Sequence, residues 1–273
     1  MPILLRICLT PIAFALVSKA QSRFGDWIGG RLIGLPLTTG PFLLTVCMTG
    51  SRTTAAHAAA GVTSGQMAVV VFCSAYAWSA RRLRPLRATT TSLGVALTAV
   101  FALSLLAGTW SAATAVWVVI LASLALWPWA RHAPATEAGG DAPSTPAPML
   151  QRALISTCVV ATMSTLVPIL GARPAGVITS APVLLSIILP STHRQSGPGG
   201  AAAVARGTIV SMVATVAFSA VLASLLPHMS VGAALLVSAS VLCALIAATP
   251  LLERLLAQVS PGQLVQARAP AHP

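Results

Sequence analysis

Nine apolar stretches of about twenty residues run through this chain, and its arginines sit almost entirely between them. A helix rises about 1.5 Å per residue, so a run of that length matches the hydrocarbon thickness of a bilayer. The stretches are residues 3–20, 32–50, 55–79, 89–109 and 112–130, then 151–172, 174–192, 202–226 and 229–249. Only 7% of the residues are charged, against roughly a quarter in soluble domains. The chain has too few charges to cover a water-facing surface. The expected class is all-α, a polytopic helical membrane protein whose first partner is the lipid bilayer.

Residues 131–148, RHAPATEAGGDAPSTPAP, interrupt the apolar pattern with Pro, Gly, Ser and two of the four acidic residues. That composition predicts a flexible, solvated linker. Four units follow: a first membrane repeat over 1–130, a cytoplasmic linker over 131–150, a second membrane repeat over 151–258 and a disordered tail over 259–273. The segment Met1–Ala20 ends in Ser18-Lys19-Ala20, a signal-peptide-like pattern. Its positive charge follows the apolar core at Lys19 and Arg23, so it is read as a retained first span.

The net charge of +12 would point to nucleic acid in a soluble protein. Here the basic residues lie between apolar segments and aromatics make up only 5% of the chain, so no nucleic-acid partner is expected. Lys and Arg instead mark cytoplasmic loops. Placing Arg81, Arg82, Arg84 and Arg87 inside leaves twelve basic residues inside and three outside (Arg6, Arg52 and Arg173), with Arg206 at or within a span. The N-terminus is then outside and the C-terminus inside, in a bacterial cytoplasmic (inner) membrane. The five cysteines fall in apolar stretches with no CxxC. They read as small packing residues, and no metal or other cofactor is expected.

Prolines and glycines interrupt two of the apolar stretches in a matching way. The first break is Gly34-Leu-Pro-Leu-Thr-Thr-Gly-Pro-Phe-Leu-Leu44, and the second is Ala175-Gly-Val-Ile-Thr-Ser-Ala-Pro-Val-Leu-Leu185. Setting Pro41 on Pro182 aligns Thr38-Thr39 with Thr179-Ser180 and Leu43-Leu44 with Leu184-Leu185. Downstream, Gly61 and Phe72 have the same spacing as Gly207 and Phe218, and Ser92-x-Gly94-x-x-Leu97 matches Ser230-x-Gly232-x-x-Leu235. Five segments precede the second half, so its first segment enters the membrane in the opposite direction. The reading is two inverted-topology repeats of five and four segments, each with a broken second segment. Such paired breaks in transporters surround a midplane site, because backbone freed by Pro persists in lipid only against protein or a water-lined cavity. The expected substrate-binding residues are Thr38, Thr39, Gly40, Pro41, Thr179, Ser180 and Pro182. Equally, Pro and Gly are common in membrane helices, and the breaks then serve packing alone.

Few residues offer other chemistry. Asp26 is the only carboxylate outside the linker and the last segments of the chain. It reads as an interfacial partner of Arg23 or Arg31, or as a gating group. His57 is the one titratable side chain placed within a central span, and Arg206 is either a snorkelling cation or a cavity-facing one. Arg194 reads as a loop charge. The absence of Asp and Glu from the central segments argues against a carboxylate proton relay. No HExxH, GxSxG or Walker pattern is present, so no catalytic residue is assigned. The Gly30–Gly34 and Gly61–Gly65 spacings suit close helix packing within the bundle, or a homodimer.

The runs RFGDWIGGRLIGLPLTTGPFLL and SAPVLLSIILPSTHR resemble a poorly characterised family of bacterial polytopic inner-membrane proteins. Its pattern is a Gly-Leu-Pro-x-Thr/Ser-x-Gly-Pro-like element with a weaker second copy before a His-Arg loop. The resemblance implies a membrane location and brings no activity with it. Ala181 stands where the first copy has Gly40, and Val177 where it has Pro36, so the second copy is expected to bend less. The functional expectation is a transporter or exporter of a small neutral or amphipathic molecule. The alternatives are a non-transporting scaffold or accessory subunit, and a membrane-embedded enzyme in which His57 converges with another polar side chain.

Overall fold

The computed structural model describes residues 31, 34–36, 39–106, 158, 162 and 169–258. Among them are six helices and no strand: α1 (Thr39–Thr49), α2 (Arg52–Ser79), α3 (Pro85–Leu106), α4 (Ala172–Thr179), α5 (Leu185–Leu225) and α6 (Val231–Gln258). The segments expected at 3–20 and 112–130, nearly all of 151–172 and the linker lie outside the described residues. So do Asp26 and Thr38. Among the described residues, three helices are long and apolar enough to cross a membrane: α2, α5 and Val231–Thr249 of α6. By length and composition the chain is therefore a membrane protein.

α2 is the central helix. In its most apolar window 72% of the residues are buried, against 11% in α6. Ser51 caps its start, accepting a hydrogen bond from the Thr54 amide at 3.1 Å, which satisfies one of the donors a helix start leaves open. One face of α2 carries Ala55, Ala58, Ala59 and Val62, packed with Phe42 and Leu43 of α1 and with Phe218 and Leu222 of α5. Farther along, Phe72, Cys73 and Tyr76 pack with Leu185, Ile188, Leu189, Val204 and Met212 of α5 and with Ala88 and Ala96 of α3. Thr63 also donates to Ser219 at 2.9 Å, joining α2 to α5. On the outside, Leu97, Phe101 and Leu105 of α3 and Leu236 of α6 are all about half exposed or more, as lipid-facing side chains are.

The Gly61–Gly65 pair packs within the chain. A Cβ on Gly61 would strike the Arg173 carbonyl of α4, and one on Gly65 would lie 2.7 Å from both the Val177 carbonyl oxygen and the Ser180 Cβ. From the other side, a Cβ on Gly176 would meet the Ala58 carbonyl and come within 2.8 Å of the Val62 amide nitrogen. Backbones this close are what small residues permit in membranes, where packing rather than water exclusion holds helices together. This face of α2 is occupied by α4 and is not free for a second copy.

Three of the described prolines act as helix starters. Pro41, Pro85 and Pro174 stand in the first turns of α1, α3 and α4, where a missing N–H leaves no intrahelical bond unmade. The first break therefore precedes Pro41, in the turn at 34–36, whose Pro36 carbonyl accepts from the Gly40 amide at 2.8 Å. The second break spans 180–184, between α4 and α5, and holds Pro182. There the helix stops altogether. With no N–H on Pro182, the chain turns through short-range bonds from Ser180 to Val177 and from Val183 to Ala181.

Arg194 was expected in a loop, but 193–196 are helical and the interruption in α5 narrows to Gly197. His193 is buried and meets the Tyr76 hydroxyl through Nδ1 at 3.3 Å, which ties this part of α5 to α2. Gly197 has φ 71° and ψ −173°, a conformation essentially limited to glycine. Gly197→Ala is expected to lower stability by about 1–3 kcal/mol, read as a fall in melting temperature in detergent. No neighbouring atom would touch the added Cβ, so an unchanged melting temperature would mean that this backbone is not in that conformation.

Candidate functional site

The two breaks meet across a small, partly open cavity of about 50 Å³. Leu35 and Thr39 reach it from the first break, and Thr179 to Leu185 line it from the second. Gln66 and Val69 of α2, with Met212 and Thr215 of α5, complete the wall. A water needs roughly 10–15 Å³ of such space, so a few waters fit and a metabolite-sized solute does not.

The polar groups fall into two sets. Those of the second break and α5 already serve the backbone. Thr179 Oγ1 donates to Ala175 O at 2.7 Å, and Ser180 Oγ lies 3.1 Å from Gly176 O and 3.3 Å from Val62 O. Thr215 Oγ1 donates to Gly34 O at 2.7 Å, which satisfies a carbonyl in the first break from a helix of the second half. Each hydroxyl oxygen keeps acceptor capacity toward the cavity.

Thr39 and Gln66 form the other set. They are only 4% and 3% exposed, both line the cavity, and neither side chain makes a hydrogen bond among the described residues. A buried amide without a partner loses about 1–3 kcal/mol in desolvation. The Gln66 amide offers two donors and an acceptor, and the Thr39 hydroxyl one donor and an acceptor. None of the cavity-lining side chains carries a formal charge, so the chemistry it offers is neutral hydrogen bonding beside Leu35, Val69, Leu184 and Met212.

Of the residues expected from the sequence, Thr39, Thr179, Ser180 and Pro182 come together here. Gly40 is half-buried and Pro41 buried, and both lie in α1 without lining the cavity. Arg31, half-buried, and Arg206, whose Nε donates to Ala202 O at 3.4 Å, are likewise not part of the lining. His57 is exposed on the early turns of α2, away from the cavity wall, and no polar side chain among the described residues converges on it. No group of three His, Cys, Asp or Glu side chains is assembled among the described residues. Gln66 was missed by reading for charge. Its signal was nonetheless present: the chain has no asparagine, and Gln66 is the one glutamine well inside an apolar stretch.

Set against protein-family models, curated proteins and solved structures, the chain matches none of them.

Proposed function

We propose that this chain is a secondary transporter or exporter of a small neutral or amphipathic molecule in a cytoplasmic (inner) membrane. It has nine segments in two inverted-topology repeats, and the solute sits between the two breaks. One observation carries the reading: the cavity wall follows the register of the repeat. Setting Pro41 on Pro182 puts Thr39 opposite Ser180, and setting Gly61 on Gly207 puts Gln66 opposite Met212 and Val69 opposite Thr215. All six of these residues line the cavity.

The packing is reciprocal as well. Gly34, in the first break, lies against Thr208 and Ser211 of α5, while Gly176, just ahead of the second break, lies against Ala58 and Val62 of α2. Each half lends its broken segment to the long helix of the other, as repeats related by a two-fold axis would. In this arrangement the small cavity is the closed form. Rocking one half against the other widens it toward either side in turn.

The competing reading is a scaffold. It draws on the Thr179, Ser180 and Thr215 hydroxyls, which donate to backbone, and on the cavity's size. The two readings separate on access. With the five native cysteines replaced by Ala or Ser, Thr39→Cys and Ser180→Cys variants are exposed in oriented membranes to a small water-soluble thiol reagent added from either side. A transporter site is labelled from both sides. Thiols that stay unreacted from both sides would leave the breaks with a packing role only.

A further inference from the structure

We propose that the cleft between the α2–α3 turn and the first part of α5 holds the phosphate headgroup of an anionic membrane lipid. The cleft is distinct from the cavity described above. It is open, about 810 Å³, and lined by the side chains of Arg82, Arg84, Arg87 and Arg194 over Leu83, Pro85 and Leu86. Three of the arginines follow from a short run, RRLRPLR, at the end of a membrane-length helix. The fourth arrives from α5, because residues 193–196 continue that helix instead of looping away.

Four arginines around one space concentrate positive charge there and favour an anion. The chain has only four carboxylates against sixteen Lys and Arg, too few to pair with most of its basic side chains. Arginine's planar fork is matched to phosphate oxygens, which accept two parallel N–H bonds.

The surroundings favour a lipid over a free phosphate. Leu86 is 65% exposed within the cleft, and Trp78 is 51% exposed beside it, with the Arg82 guanidinium 5.4 Å from its ring centre. An aromatic and an aliphatic side chain bared next to a cationic rim is the pattern of a headgroup boundary, where a phosphate meets the start of acyl chains. The helix end places the cleft at one membrane surface, and this holds for either orientation of the chain.

The test uses the full chain, purified in detergent, with phosphatidylglycerol, phosphatidylcholine or inorganic phosphate added at matched concentration. Thermal unfolding and retained lipid by native mass spectrometry are the two readouts. Phosphatidylglycerol is expected to raise the melting temperature more than phosphatidylcholine does and to remain bound in the gas phase. The Arg84→Gln/Arg87→Gln/Arg194→Gln variant is expected to lose that preference by at least tenfold in apparent affinity while still responding to phosphatidylcholine. If the triple variant does not fold, Arg194→Gln alone is expected to weaken phosphatidylglycerol binding at least threefold. Equal responses to the two lipids would overturn the proposal, as would an undiminished preference in whichever variant folds. Inorganic phosphate reproducing the whole phosphatidylglycerol effect would assign the cleft to a free anion and overturn the lipid reading.

Discussion

Gly61→Ala is expected to cripple folding, whereas the same change at Gly94 should make the protein slightly more stable. Both glycines lie inside helices, α2 and α3, so the gain from reduced backbone freedom is similar, about 0.5–1 kcal/mol. What differs is the space each methyl enters. At Gly61 it meets the Arg173 carbonyl of α4, a backbone atom that cannot swing aside, while at Gly94 nothing lies within 4 Å. Overpacking typically costs about 1–3 kcal/mol where side chains can adjust, and here α4 must move bodily away from α2. That shift would drag Thr179 and Ser180 off the cavity wall. Melting curves of the two variants in one detergent provide the check. If Gly61→Ala melted within a degree of the parent, the close α2–α4 packing, and with it the closed cavity, would be wrong.

The second large effect is expected at Gln66. Gln66→Leu should leave the melting temperature unchanged or raised while weakening solute binding at least tenfold, equivalent to about 1.4 kcal/mol. The amide is buried, faces the cavity and makes no hydrogen bond among the described residues. Replacing an unsatisfied polar group with an apolar one of similar size removes a desolvation penalty, so stability does not suffer. A solute that relies on the amide loses its donors and acceptor together. A thermal-stabilisation screen of neutral and amphipathic compounds supplies the ligand, since one at a hundred times its Kd adds about 2.7 kcal/mol to the folded state. Hits that persist undiminished in Gln66→Leu would remove the amide from the site. A variant that melts much earlier would show that Gln66 holds structure instead.

The positions of the breaks were legible in the sequence, and how they are made was not. Pro41 and Pro182 marked the right neighbourhoods because proline always withholds a hydrogen bond. Whether that breaks a helix depends on position in the turn. Pro41 falls in the first turn of α1 and begins a helix, while Pro182 falls between α4 and α5. The hydroxyl pairs were equally ambiguous. Thr179 and Ser180 turn back onto backbone carbonyls, and Thr39 faces the cavity, a distinction set by local backbone direction that spacing does not encode. The loop expected around Arg194 shrank to one glycine, Gly197, whose backbone angles only a glycine readily adopts.

Class and patterning belong to the sequence. Long apolar runs, scarce charge and arginines confined between spans are one-dimensional quantities, and bilayer thickness converts them directly into membrane helices. The two breaks were legible for the same reason, since proline and glycine change backbone chemistry wherever they stand. Which surfaces meet was decided only in three dimensions. Gly61, Gly65 and Gly176 lie against backbone rather than lipid, Gln66 and Met212 share one cavity, and Arg194 joins three arginines more than a hundred residues away in the chain. In an apolar segment nearly every face is hydrophobic, so periodicity cannot tell a lipid-facing side from a protein-facing one. Van der Waals fit between particular helices makes that choice.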